Sequence, residues 1–209
     1  MAIGLVALTL QGMVLAGGQS PDLAPVVSDK PMTADQLAIY RIVLKVWMDN
    51  GKGKHVVHLA IQTSPFSLSD MDADCGKSLG FVAGPKGEVH RFRKEDVTLL
   101  KPSKVELVDP DAQSKEVAEN DPGNHIGPGN SIANAVANGF AHGLTRLSEI
   151  RFDKDQTHAI LWYDFSCGRT CGNGATVLME RKNGAWGIMR HCSTSIAGLG
   201  LEREVEGDC

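Results

Sequence analysis

The sequence predicts an α+β fold in which two main helices pack on an antiparallel sheet that ends in a four-strand meander. Three observations predict it. Residues 33–51 join a capping box to an apolar stripe at helical spacing and an Asn-Gly stop. Residues 131–142 carry a second amphipathic pattern. Residues 147–192 read as successive strands, the last two joined by Asn183-Gly184.

Taken in order, residues 1–16 are uncharged and apolar from Ile3 onward, too short a run for the roughly 20 residues a membrane span needs. They read as a signal peptide with Val14 and Ala16 at the −3 and −1 positions, although the basic start of such a leader is missing. Residues 17–31, with Gly, Ser and three prolines, are expected to be a linker. Residues 32–200 form the single domain and 201–209 an acidic tail. The expected location is periplasmic or secreted, with no transmembrane anchor.

The first helix starts at Thr33-Ala-Asp-Gln36, where the Thr33 hydroxyl can accept the Gln36 N–H and Gln36 can reach back. Met32 and Leu37 are spaced for a hydrophobic staple. Leu37, Tyr40, Leu44 and Trp47 form the apolar stripe, widened by Val43 and Met48. Arg41, Lys45 and Asp49 form the polar one, and Asn50-Gly51 the stop. Residues 56–63 alternate with Val57, Leu59 and Ile61 inward. Short strands are expected near 80–82, 89–93 and 105–108, with Gly84-Pro-Lys-Gly87 as a turn. Residues 109–130 are expected to be a long acidic loop with one helical turn at 114–119.

The second helix should bury Ile132, Val136 and Phe140 and end at Gly143. Of the four strands that follow, 147–153 turns Ile150 and Phe152 inward. Residues 158–165 are apolar on both faces, as in a central strand. A two-residue turn at Asn183-Gly184 sets Arg181 opposite Trp186, Met179 opposite Ile188 and Ala175 opposite Cys192. Arg181 can then lie over the Trp186 ring.

Lys plus Arg number 21 against 25 Asp plus Glu, with no basic half. A nucleic-acid partner is therefore not expected.

The five cysteines carry the sharpest chemical signal. Cys167-Gly-Arg-Thr-Cys171 lies between two strands and Cys192 at the open end of the last hairpin, so Cys167, Cys171 and Cys192 can approach one another. In an oxidising compartment Cys75, Cys167, Cys171 and Cys192 are the disulfide candidates, with three connectivities open. A bridge closing a long loop, such as Cys75 to Cys192, would add about 2–4 kcal/mol. The alternative is a zinc site on Cys167, Cys171, His191 and Cys192, or a redox-active thiol pair. Cys209 is left over.

Other constellations are weaker. His55 and His58 fall on opposite faces of a strand. Asn134, Asn138 and His142 share one polar helix face. Cys171 or Cys192 with His142 or His158 would make a nucleophile and base, without local support. Asp70, Asp72 and Asp74 lack the Gly and distal Glu of a calcium loop. Gly127-Pro-Gly129 and Gly172-Asn-Gly174 lack the Lys-Ser/Thr of a phosphate cradle, so no cofactor is expected.

The segment from Leu147 to Cys192 resembles an uncharacterised family of exported bacterial proteins. The matching residues are Leu147-Ser-Glu-Ile150-Arg-Phe152, Ala159 to Tyr163, Cys167-Gly168, Cys171-Gly172-Asn-Gly174, Glu180-Arg-Lys-Asn-Gly184-Ala-Trp186 and Cys192, with Cys75-Gly-Lys77 upstream. The resemblance implies a leader and a terminal antiparallel meander, and it brings no assigned activity. The chain departs from it after Cys192, where Ser193-Thr-Ser195-Ile196 lacks an aromatic. The expectation is an exported, non-catalytic binding or envelope-associated domain whose ligand is a protein or a small molecule. A thiol- or zinc-dependent protein is the alternative, and a hydrolase with its site near residues 109–130 a second one.

Overall fold

The computed structural model describes residues 25–49, 56–67, 74–81, 88–100 and 104–197. The leader (1–16), Asn50-Gly51, His55, Asp70, Asp72, the Gly84–Gly87 turn, the acidic tail and Cys209 lie outside the described residues. So do Val82 and the side chains of Trp47, Met48 and Asp49, while Gly80 and Phe81, expected to start a strand at 80–82, are described and belong to none.

Helix α1 (Ala34–Asp49) begins as its sequence dictates. The Gln36 N–H donates to Thr33 Oγ1 at 3.2 Å, and the Thr33 N–H donates to Gln36 Oε1 at 2.8 Å. Ile39, Tyr40, Val43 and Leu44 are buried, and Arg41 and Lys45 are exposed. The helix covers one face of the main sheet, where it meets Leu59, Leu161, Val177 and Met179.

That sheet contains β2 (Val57–Ala60), β4 (Val105–Val108), β5 (Leu144–Leu147), β6 (Arg151–Phe152), β7 (His158–Gly168), β8 (Cys171–Lys182) and β9 (Ala185–Ala197). Its order is β4-β2-β5-β7-β8-β9, with β6 on β7. The run β5-β7-β8-β9 is antiparallel, as the expected meander. The sheet as a whole is mixed, because β4 and β5 both run parallel to β2. A second, two-stranded parallel sheet pairs β1 (Val26–Ser28) with β3 (Glu88–His90). Residues 26–28, read as linker, are thus part of the folded domain.

The largest departure falls on 109–130. This segment forms α3 (Pro110–Glu119) and α4 (Pro122–His125), not a long loop. Each helix starts with Asp-Pro. Asp109 Oδ1 accepts the Asp111 and Ala112 N–H groups, and Asp121 Oδ1 accepts that of Gly123. In each the proline sits at the first helical position, where no N–H is needed. Helix α2 (Lys94–Leu99) completes the β3-to-β4 connection. The residue that ends it, Leu100, joins the core under α1, while α3 sends Val117 to the opposite face beside Ala60 and Leu144.

Helix α5 (Ile132–Ala141) is capped by the Ser131 hydroxyl and buries Ala135 and Gly139, leaving Ile132 56% exposed. The buried stripe is therefore the neighbour of the one expected. Helix α5 lies so close to β7 and α4 that a Cβ on Gly139 would sit 2.9 Å from the Cys167 carbonyl oxygen and 2.7 Å from Pro122 Cγ.

The expected strand 147–153 is interrupted. β5 ends at Leu147, Ser148 and Glu149 turn to bond a neighbouring segment, and β6 resumes at Arg151. Ile150 and Phe152 still pack inward.

Asn183 and Gly184 take positive φ values of 52° and 80°, as a two-residue hairpin turn requires. Arg181 faces Trp186 and lies over its ring at 5.8 Å, and Met179 faces Ile188. Beyond that, β-bulges at Met189 and Cys192 shift the register, so Ala175 faces Thr194 rather than Cys192. The second bulge places Cys192 with Cys75, Ile160 and Leu178 on the face opposite α1.

Candidate functional site

Three parallel strands end together. β2 lies between β4 and β5, and the connections that lead to β4 and from β4 to β5 put α2 and α3 on opposite faces of the sheet. The chain thus steps one way from β2 and then back past it. In open sheets of this kind, ligands settle in the crevice beyond the carboxyl ends of the strands at such a reversal. A cavity of about 240 Å³ lies there. The end of β2 contributes Ala60, Gln62, Thr63 and Ser64. Pro110 and Asp111 come from the start of α3 and Arg146 from β5, while Pro25 and Val89 of the small sheet form a lip.

Under that lip a buried polar network joins the two sheets. Glu149, 4% exposed, accepts the His90 backbone N–H at 2.9 Å on Oε1 and the His90 Nδ1–H at 2.9 Å on Oε2. The Thr63 hydroxyl donates to the same carboxylate and accepts the His90 N–H at 2.8 Å. Backbone bonds run from the Ser64 N–H to the Leu147 carbonyl and from the Glu149 N–H to that of Ser64, both 2.8 Å. The Tyr40 hydroxyl donates to the Ser148 carbonyl at 2.8 Å. Burial, reinforced by the nearby Glu149 charge, holds that phenol well above its ordinary pKa, so it stays a donor.

Arg146 closes the far side. Its Nη1 lies 3.3 Å from Asp164 Oδ2 and its Nη2 3.1 Å from Ser114 Oγ on α3. Burial raises the Asp164 carboxyl, opposed by the Arg146 charge. Toward the starts of β2 and β5, Gln113 Nε2 donates to the His142 carbonyl at 2.7 Å, and His58 Nδ1 lies 3.3 Å from the Gly143 carbonyl oxygen. His58 is half-buried in this seam.

The cysteines divide into two pairs. Cys75 and Cys192 form one disulfide, Cα atoms 5.7 Å apart, and Cys167 and Cys171 another at 5.0 Å. The first holds residues 75–81 against Ile160 and Leu178. The second sits at the β7–β8 turn with Phe140 and Phe165. Cys192 therefore does not join Cys167 and Cys171, because the bulge turns it toward Cys75. His191 faces Val177 and is exposed. Among the described residues no group of three His, Cys, Asp or Glu side chains is arranged to hold a metal ion.

The proposed nucleophile-and-base pairs are also kept apart. His142 Nδ1 lies 2.9 Å from the Asn138 carbonyl oxygen, and His158 Nδ1 lies 2.9 Å from Asp153 Oδ2. Asn134 and Asn138 lie on the exposed face of α5, where Asn138 Nδ2 donates to Asn120 at 2.9 Å. Asp74 is exposed and lies 3.4 Å from Lys77 Nζ. At the disulfide-bonded turn, Asp121 accepts both Nε–H and N–H of Arg169, at 2.8 and 3.2 Å. The Arg169 guanidinium, outweighing burial, holds that carboxyl below its usual value.

Sequence reasoning missed Gln62, Thr63, His90, Asp111, Arg146 and Glu149. The signal that could have found them is Asp109-Pro110 read as a helix start, since a helix there makes a crossover and requires parallel strands on either side of it. No helix among the described residues is long and apolar enough to cross a membrane. Neither a family model, nor a curated protein, nor a solved structure matches this chain.

Proposed function

We propose that this chain is an exported, disulfide-stapled domain that acts by binding, with its ligand site in the cavity where the parallel strands end. The Cys75–Cys192 bridge carries the reading. It joins positions 117 residues apart across the sheet, and such a bond persists in an oxidising compartment. The apolar residues 3–16 and the resemblance to an exported family support the same location. Binding is favoured over hydrolysis by the network beside the cavity. The Thr63 hydroxyl is committed to Glu149, and among the described residues no hydroxyl or thiol bonds the Nε2 of His90.

The test is the intact mass of protein recovered from its native host under thiol-blocking conditions, with and without reduction. The expected result is a chain shortened by about 16 residues, with Cys75, Cys167, Cys171 and Cys192 alkylated only after reduction. A full-length chain with freely alkylated cysteines overturns the proposal and returns thiol chemistry to the front.

A further inference from the structure

Building on that reading, we propose that the cavity at the strand ends binds a small zwitterion, an α-amino acid with free ammonium and carboxylate groups. The carrying observation is that two side chains of opposite charge line this one small cavity without pairing with each other. Asp111 has no ion-pair partner among the described residues, while Arg146 pairs with Asp164 across the cavity's far side.

Helix α3 supplies the negative pole through the Asp111 side chain. Its first N–H groups, those of Asp111 and Ala112, are already bonded to Asp109 Oδ1, so the helix start offers no free amides to an anion. The positive pole is Arg146. Two of its nitrogens are held by Asp164 and Ser114, which fixes the guanidinium in place, and its five N–H groups leave donors for a carboxylate. The lining also carries the Gln62 amide and the Ser64 hydroxyl, neither with a side-chain partner among the described residues.

Size and walls narrow the class further. A volume of about 240 Å³ lies below the roughly 300–1,000 Å³ of sites for drug-sized molecules. Pro25, Pro65 and Pro110 make stiff walls that need little ordering when a ligand arrives. An anion alone would leave Asp111 facing it, and a cation alone would face Arg146. A ligand carrying both charges satisfies both walls, which discriminates against each half of itself.

The test is calorimetric titration of the oxidised, full chain with glycine, L-alanine, L-proline and L-glutamate, each also as its N-acetyl and its carboxamide form. At least one free amino acid should bind with a Kd of about 1 mM or tighter, and blocking either end should weaken it by about tenfold or more. Asp111→Asn should weaken the free amino acid while leaving the N-acetyl form unchanged. Arg146→Gln should likewise weaken the free amino acid while leaving the carboxamide form unchanged, and Arg146→Lys provides the variant if Gln unfolds the chain. Absence of saturation across the free amino acids overturns the proposal. So does equal binding of the blocked forms, or binding indifferent to Asp111→Asn. None of these outcomes touches the cysteine oxidation and leader cleavage on which the export reading rests.

Discussion

Asp153 collects four donors within one turn of chain. Its Oδ1 accepts the N–H groups of Thr157 at 2.8 Å and His158 at 3.1 Å, and its Oδ2 the Thr157 hydroxyl at 3.0 Å and His158 Nδ1–H at 2.9 Å. Burial alone would raise this carboxyl, but the donated hydrogen bonds win and lower it to about 2. Because the unfolded carboxyl titrates near ~3.9, the bonds stabilise the fold fully above about pH 4 and are lost as pH falls through 2. Asp153→Asn should cost about 1.5–3 kcal/mol at pH 7 in urea unfolding, with the difference from wild type closing near pH 2. A carboxyl midpoint near 4 by NMR would sink this account. At Gly139 the effect is steric. Gly139→Ala must push a methyl against the Cys167 carbonyl, so it should cost about 1–3 kcal/mol, although alanine is the better helix former. The exposed Ala137→Ser next to it should stay within about 0.5 kcal/mol.

At the scale of elements, caps decide which segments were legible. Helix α1 was readable because Thr33 and Gln36 announce its start and Tyr40, Val43 and Leu44 repeat at helical spacing, so local chemistry and burial agree. Helices α3 and α4 were not, because their Asp-Pro starts occur equally in turns, and because α3 buries little beyond Gln113 and Val117. The Asn183-Gly184 hairpin was legible for four pairs from its turn and then failed at Met189. A bulge is set by what the strand must reach, here Cys75, and not by alternation. The two Asp caps should also differ. Asp109→Ala removes an exposed cap and should cost about 0.5–2 kcal/mol. Asp121→Ala removes a cap that is 2% exposed together with its contacts to Arg169, whose guanidinium stays in water, so it should cost more, by up to about 1 kcal/mol. Equal losses in thermal unfolding would show that the Arg169 contact contributes nothing.

The whole molecule is a parallel half, β4-β2-β5, fused to an antiparallel half, β7-β8-β9, and both disulfides fasten the second half, Cys167–Cys171 within it and Cys75–Cys192 to the segment that follows β2. They do so on very different chain lengths. Cross-linking limits the unfolded chain by an amount that grows with the logarithm of the loop. A separation of 117 residues then corresponds to about 5 kcal/mol and one of 4 residues to about 2 kcal/mol. The short bridge is worth less still where the backbone has already closed the same loop, as it has here, since Gly168 faces Cys171 across the β7–β8 turn. Cys75→Ala with Cys192→Ala should therefore lower Tm by about 10–20 °C, at 2–4 °C per kcal/mol for a chain of this size. Cys167→Ala with Cys171→Ala should lower it by about 8 °C at most. The second pair should instead speed amide hydrogen exchange in α4 and at Arg169, which dock on that turn, with little change in β2 or β4. A larger loss of Tm from the short bridge would mean that the turn, and not the long crossing from residue 75 to β9, holds the antiparallel half to the rest. The site at the parallel strand ends would then depend on the turn for its rigidity.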